Sequence, residues 1–228
     1  MKKLLVLVAA LGLAAPLVAA EEPAFKSQKE KISYALGVNF GKAMKQEGMD
    51  IDLTVLLKGI EDARGDGKLA LTDEELAATL QAFQKEMAAK QAEKGKMLAE
   101  KNKTEGETFL AENKKKEGVT TLPSGLQYKV IKAGTGKTPK AEDTVVTHYR
   151  GTLLDGTEFD SSIKRGEPAT FNVKEVIPAW TEALQLMKVG DKWQLFVPAA
   201  LGYGEEGAGR AIGPNATLVF EVELLEIK

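Results

Sequence analysis

The stretch HYRGTLLDGTEFDSS, residues His148–Ser162, decides how the rest of the chain is read. It reads as one strand, a tight Asp155-Gly156 turn and a second strand ending in Phe159-Asp160, because Asp-Gly between alternating runs is a strong short-range hairpin signal. A Tyr, a Phe and an Asp thus stand around one short hairpin. No nucleophile or cluster of metal ligands accompanies them, which suits a reaction that needs a pocket more than a reagent.

Around this hairpin the texture is β-prone from Gly118 onward. Leu126–Lys132, Thr144–Leu154, Lys192–Val197 and Thr217–Ile227 alternate. Turn signals separate them at Pro123-Ser124-Gly125, Gly134-Thr135-Gly136 and Gly190-Asp191. One short helical segment, Trp180–Met187, interrupts the strands. In an alternating strand Val145, Thr147 and Tyr149 share one face, so His148 points away from whatever Tyr149 faces. In the last strand Leu218, Phe220, Val222 and Leu224 share a face, which turns Phe220 inward. Residues 118–228 therefore read as an antiparallel sheet wrapped on a single helix.

Upstream the periodicity is helical. Ser27-Gln28-Lys29-Glu30 is a capping box, followed by the stripe Ile32, Ala35, Leu36, Phe40, Ala43 and Met44, which stops at Gly48. Asp52 is the expected N-cap of a second helix carrying Leu53, Leu56, Leu57 and Ile60, with Gly65 past its end. Thr72-Asp73-Glu74-Glu75 opens a third, with Leu76, Leu80, Phe83 and Met87 on one face. Continuing that spacing lands on Lys90 and Lys94, so the apolar seam stops while helix formers continue. Between Lys85 and Lys116 there are nine Lys and six Glu. A helix polar all round reads as a solvated bridge between domains. Unbroken from Asp73 to Lys116 it would span ~66 Å. Gly95 and Gly106 allow a bend or break in it, and a disordered charged linker is the alternative. Three apolar stripes make too small a core to stand alone, and a second copy of the chain would cover them.

The overall balance excludes several classes. Of 228 residues 43% are hydrophobic and 28% charged, with net charge −2, which gives no reason to expect nucleic acid. Cys is absent and His148 is the one histidine, so thiolate sites, a His-based metal cluster and a Ser-His-Asp triad are excluded within a chain. Gly134-Thr135-Gly136-Lys137-Thr138 imitates the end of a phosphate-binding loop, but Ile131 stands where its first Gly belongs. Asp62–Asp73 imitates a calcium loop with Asp62, Asp66, Gly67 and Asp73 in place, but Arg64 occupies a ligand position. No metal and no cofactor is expected. Lys2-Lys3, the apolar run Leu4–Leu13 and the small residues Val18-Ala19-Ala20 before Glu21 form a secretory signal pattern. An uncleaved anchor is the alternative.

Tyr149, Phe159, Val176, Ile177, Trp180, Tyr203 and Phe220 recur at the ends of the β-region's elements. Any one of them reads as core. Two features of the set resist that reading: Trp180 opens a helix just after Val176-Ile177-Pro178, and Tyr203 sits in the Gly-flanked loop Leu201-Gly202-Tyr203-Gly204, where a core residue is unexpected. An apolar cavity with one carboxylate and one phenol is the usual form of a small-ligand site.

Five ordered motifs, HYRGTLLDGTEFDSS, EVIPAW, VGDKW, LGYGEEGAG and GPNATLVFEVELL, resemble the FKBP-type peptidyl-prolyl isomerase domain over about Gly125–Lys228. ISYALGVNFGKAMKQEG, the long charged helix and LPSGLQYKVI look like the macrophage infectivity potentiator branch, so the resemblance covers essentially the whole mature chain. It implies an α+β protein. Residues 1–20 would be a signal peptide, 21–72 an all-α dimerisation domain, 73–117 a long charged connecting helix and 118–228 the isomerase domain. It further implies an exported, periplasmic homodimer, outer-membrane associated or secreted, acting on proline-containing unfolded or partly folded chains, with macrolide inhibitors as further ligands.

By resemblance the catalytic group is Asp160, Tyr203, Phe159 and Trp180, with Trp180 the floor beneath the proline ring and Asp160 the polar group near the twisting amide. Tyr149, Val176, Ile177, Ile212 and Phe220 would line the substrate site. Arg165 would hold Asp160 and Tyr149, and the Ile177 N–H and Tyr203 hydroxyl would hold substrate carbonyls. Departures from the family pattern are peripheral: Ala169 for an aromatic, Ala179 for Gly, Ala208 for His, and Ala211-Ile212-Gly213-Pro214 for an Ile-Ile-Pro-Pro-like run, which implies a wider wall near Ile212. Two other readings stand beside catalysis: a holdase chaperone using a dimeric cleft, and a structural dimer with a degenerate pocket.

Overall fold

The computed structural model describes residues 25–65 and 67–228, so the signal pattern of residues 1–20 and Asp66 of the calcium-loop lookalike lie outside it. The described residues divide into two compact units, the chain passing from one to the other between Asp73 and Glu74.

The first unit holds two helices, α1 (Gln28–Glu47) and α2 (Leu53–Arg64). Their ends are set by local chemistry. The Ser27 hydroxyl accepts from the Glu30 N–H at 3.2 Å while the Glu30 carboxylate accepts from the Ser27 N–H at 3.0 Å, a reciprocal capping box. Gly48 ends α1 in the left-handed conformation, φ 67°. Asp52 caps α2 by accepting from Thr54 and Val55. Neither helix buries a residue within the single chain, and Ile32, Leu36, Phe40, Leu53, Leu57 and Ile60 are all exposed.

The second unit opens with α3 (Asp73–Asn113), 41 residues without a break. Gly95 and Gly106 interrupt nothing. The expectation of a helix solvated all round holds only for its first part. From Leu98 the helix carries a second stripe, Leu98, Asn102, Gly106, Phe109 and Asn113, at 4-4-3-4 spacing, and this stripe lies on the sheet that follows. Gly106 is buried: a Cβ there would come within 2.2 Å of the Thr217 hydroxyl and 3.2 Å of its Cβ. Phe109 meets Phe196 with ring centroids 5.9 Å apart. The Asn113 side chain donates to Gln127 at 3.0 Å, and Gln127 donates back to the Leu110 carbonyl at 2.9 Å.

Seven strands follow: β1 (Val119–Thr121), β2 (Gln127–Lys132), β3 (Thr144–Leu153), β4 (Glu158–Ser161), β5 (Ala169–Asn172), β6 (Lys192–Val197) and β7 (Leu218–Ile227). They make one antiparallel sheet in the order β1-β2-β6-β7-β3-β4, with β5 also pairing β3. This is the sheet read from the alternating runs. The three- and four-residue strands β1 and β5 were too short to show alternation. Two short helices join the strands, α4 (Ser162–Arg165) and α5 (Pro178–Leu184). α5 starts with Pro at its first position and buries Ala179, Trp180, Ala183 and Leu184. These pack with the inward residues of β3 (Val145, Tyr149), β6 (Leu195, Val197) and β7 (Leu218, Phe220, Val222, Leu224) into one core.

The two α3 glycines should respond oppositely to the same substitution. Gly95→Ala meets nothing within 4 Å and should raise stability by about 1 kcal/mol through helix propensity. Gly106→Ala should lower it by about 1–3 kcal/mol, as overpacking against Thr217 outweighs the propensity gain. Chemical denaturation of both variants decides it.

Candidate active site

The hairpin places the first site residues by register. In β3, Tyr149 is opposite Val222, and Gly151 is opposite both Phe220 on β7 and Asp160 on β4. Gly151 is required by close approach: a Cβ there would lie 2.6 Å from the Phe159 ring and 2.8 Å from the Phe220 ring. The two rings therefore cross over bare backbone, edge to face, with centroids 5.5 Å apart and planes at 85°. The turn is closed by Gly156 at φ 85°.

Trp180, on the first turn of α5 and 4% exposed, is the hub. It meets Tyr149 at 5.3 Å, Phe171 at 5.5 Å and Phe220 at 5.5 Å, each edge to face. Above it opens a cavity of about 480 Å³. Tyr149, Phe159, Val176, Ile177, Trp180 and Phe220 line it, joined by Asp160, Tyr203 and Ile212. Nine of the ten residues named from the sequence thus converge. The tenth, Arg165, stands behind Asp160 instead of in the lining.

Four further residues line the cavity: Phe171, Glu175, Ala208 and Ala211. Phe171 lies on β5, whose four residues carry no readable period, though Ala169, Phe171 and Val173 do share its inward side. Glu175 is exposed at the rim, in the short 3-10 turn Val173–Glu175 before Ile177. Ala208 and Ala211 belong to a loop whose position no local pattern announces.

The carboxylate is held from two sides. Tyr149 donates its hydroxyl to Asp160 Oδ2 at 2.5 Å, Arg165 donates to Asp160 Oδ1, and Arg165 also donates to the Tyr149 hydroxyl at 2.8 Å. α4 delivers Arg165, its N-terminus capped by the Ser161 hydroxyl accepting from Lys164. Ser162, fully buried, accepts from the Tyr149 N–H at 2.8 Å and donates to its carbonyl at 3.2 Å, which locks the tyrosine backbone. His148, on the other side of β3, is half-buried with Nδ1 3.1 Å from the Ser162 hydroxyl and takes no part in the lining.

Partial burial works to raise the Asp160 carboxyl, but the hydrogen bonds from Tyr149 and Arg165 and the guanidinium charge outweigh it, holding the group below its ordinary range. Burial, then the bond to Asp160, raises the Tyr149 phenol; burial, then the nearby Asp160 charge, raises that of Tyr203. At neutral pH Asp160 is therefore a carboxylate and the Tyr149 and Tyr203 phenols are neutral. Among the described residues no cluster of three or more His, Asp or Glu could hold a metal ion. An aromatic-lined cavity with a fixed carboxylate and a hydroxyl at its rim can bind an apolar ring and steer the polar groups beside it.

The class of protein defined by this arrangement is a binding pocket for a small apolar group built on a wrapped antiparallel sheet. The comparisons sharpen it. Residues 135–225 match the family model of the FKBP-type peptidyl-prolyl cis-trans isomerase, and residues 29–130 match the model of the domain amino terminal to it. The "Outer membrane protein MIP" of Legionella longbeachae is 48% identical over all of this chain and 99% of its own length. The "Peptidyl-prolyl cis-trans isomerase Mip" of Coxiella burnetii is 42% identical over all of this chain and 99% of its own. The crystal structure of FkpA from Escherichia coli superposes with a TM-score of 0.69 at 42% identity, covering 90% of this chain and 99% of that one. The chain belongs to the FKBP-type peptidyl-prolyl cis-trans isomerases, with the amino-terminal domain of the Mip and FkpA proteins.

The titration directions set the expected pH behaviour. The stability that the Asp160 interactions contribute is present above the ordinary carboxylate range, ~3.9 for Asp. It is lost as pH falls through the lower value of the folded state. The Tyr149 contribution runs the other way, full below ~10 and lost as pH rises through the raised folded value. Isomerase activity should accordingly be flat from neutral pH down through the ordinary carboxylate range and fall only below it. A pH–rate profile with a step near neutrality would contradict this.

Proposed function

We propose that this chain accelerates Xaa-Pro rotation in exported proteins, as a homodimer joined through residues 21–72, with the cavity over Trp180 as its active site. The observation that carries the reading is the carboxylate of Asp160, fixed by Tyr149 and Arg165 at the edge of a cavity lined by aromatic rings.

Rotation about an Xaa-Pro bond faces a barrier of ~20 kcal/mol because amide resonance must be broken. No bond to another atom forms, so nucleophile, acid and metal are unnecessary. The planar amide is charge-separated and the twisted one less so; a desolvated pocket therefore raises the ground state relative to the transition state. In this assignment the proline ring lies on Trp180 between Tyr149, Phe159, Val176 and Phe220. The Ile177 N–H and the neutral Tyr203 hydroxyl hold substrate carbonyls, and Asp160 faces the twisting amide. Arg165 acts through Asp160 and Tyr149, keeping the carboxylate ionised and oriented. Groups already aimed at the twisted geometry need no reorganisation during the reaction.

The homodimer rests on the open apolar faces of α1 and α2, which a second copy would cover symmetrically. Export rests on the signal pattern of residues 1–20 and on a relative named as an outer membrane protein. Among the described residues no helix is long and apolar enough to cross a membrane. The holdase reading is not favoured, since the family model that matches the sheet region is that of an isomerase. Macrolide binding at the same cavity, with a wider wall beside Ile212, is part of the proposal.

Two measurements test it. In a cis/trans exchange assay on a short Xaa-Pro peptide, Asp160→Ala and Trp180→Ala should each lower kcat/KM by about tenfold or more. Undiminished activity in either removes that residue from the site. In sedimentation the mature protein should be a dimer, and Phe40→Glu, a charge on the exposed face of α1, should give a monomer that still turns over the peptide. A wild-type monomer would end the dimer assignment.

A further inference from the structure

We infer that α3 sets one wall of the isomerase pocket, with Asn102 as a positioning residue whose amide fixes the loop carrying Ala211 and Ile212, and that this wall governs discrimination among substrates by the residue beside proline. The inference rests on the active-site assignment above and goes beyond it.

The loop between Gly207 and Asn215 is closed on itself at one point and tied to the preceding turn at another. Ala208 and Ile212 exchange backbone hydrogen bonds at 2.8 and 3.1 Å, and the Asn215 N–H donates to the Gly204 carbonyl at 2.9 Å. The chain between these points, Gly213-Pro214, meets α3 instead: the Asn102 amide donates to the Pro214 carbonyl at 2.8 Å. The helix comes so close that a Cβ on Gly213 would lie 3.0 Å from Leu98 Cδ2 and 3.1 Å from Asn102 Nδ2. Gly213, which departs from the Pro-containing family run, thus leaves room for the Leu98 and Asn102 side chains against the loop.

The wall so held is thin. Ala211 lines the active-site cavity on one side and, on the other, a second cleft of about 290 Å³ whose lining includes Leu98, Asn102 and Gly213. Ile212 is packed into the core, but the rim at Ala211 has space behind it, so the place of the rim depends on the few contacts that span the cleft. Ile212 is buried at the wall's base and Ala211 is exposed at its rim. The rim is the part of the wall that meets the chain flanking the proline, while the floor on Trp180 meets the ring. Moving the wall should therefore change which flanking residues are accepted more than it changes rotation itself.

The test is kcat/KM of the full mature protein on a series of peptides that differ only in the residue before proline, from Ala to Leu and Phe. Losing one hydrogen bond of this kind should change the ratio of bulky to small substrates by about three- to tenfold in Asn102→Ala. Gly213→Ala, which pushes helix and loop apart from the other side, should change it in the same direction. Asn102→Leu, which keeps the bulk and drops the donor, gives the reading if the alanine variant is too unstable to assay. A purely structural role would lower the melting temperature and leave the peptide ranking as in the wild type; a ranking unchanged within about twofold in Asn102→Leu and Gly213→Ala overturns the inference. Trp180→Ala assayed alongside separates the two failures. Loss of activity there with unchanged ranking in the Asn102 variants refutes only the role of α3, whereas full activity in Trp180→Ala removes the site and this inference with it.

Discussion

Trp180 meets Tyr149, Phe171 and Phe220 edge to face at 5.3 to 5.5 Å, and the cavity depends on those contacts. Each ring comes from a different element: β3, β5 and β7 around the first turn of α5. Edge-to-face contacts satisfy the quadrupoles of the rings and hold them at definite angles, so a large apolar surface can remain open without collapsing into the core. The geometry is possible only because Gly151 removes a side chain where Phe159 and Phe220 cross. One missing Cβ and one indole thus determine the shape of the floor and the nearer walls.

The polar half of the site follows from the same frame. Tyr149 contributes its ring to the aromatic contacts and its hydroxyl to Asp160, so the carboxylate is positioned by a residue the core already holds rigid. Ser162 clamps the backbone of that tyrosine and α4 brings Arg165 onto the pair. The carboxyl stays ionised although partly buried because hydrogen bonds and a guanidinium offset the desolvation. For a reaction that only twists an amide, a pre-aimed environment of this kind can supply the catalysis without any reagent.

The long helix is less a spacer than its composition suggests. Its charged first part carries no continuing apolar seam, but from Leu98 to Asn113 it lies along the sheet domain through a stripe that hydrophobicity does not register. Two of the five positions are Asn and one is Gly. Asn102 and Asn113 face the domain through hydrogen bonds, and Gly106 faces it by being small enough for Thr217. A search for apolar periodicity passes over such a seam, since polar and small residues look the same in sequence whether they face water or a matching partner.

Local chemistry alone settles much of this protein. The caps at Ser27 and Asp52, the Asp155-Gly156 turn and the period-two runs of β3, β6 and β7 depend on neighbours a few residues apart, and such signals survive without the fold. Four of the five ordered motifs carry eight of the ten site residues, with Arg165 and Ile212 just outside them, and nine of the ten line one cavity. The short strands β1 and β5 stayed hidden because three or four residues cannot display a period, and Phe171 was hidden with β5. What only the tertiary structure decided is how segments far apart in sequence meet. The rings from three strands converge on Trp180, the loop at Ala208 and Ala211 closes a wall, and the far end of α3 reaches Pro214 across 112 residues. Those contacts are set by register, close packing and the absence of side chains at Gly106, Gly151 and Gly213. None of these has a local signature, because each is a property of two surfaces and not of one.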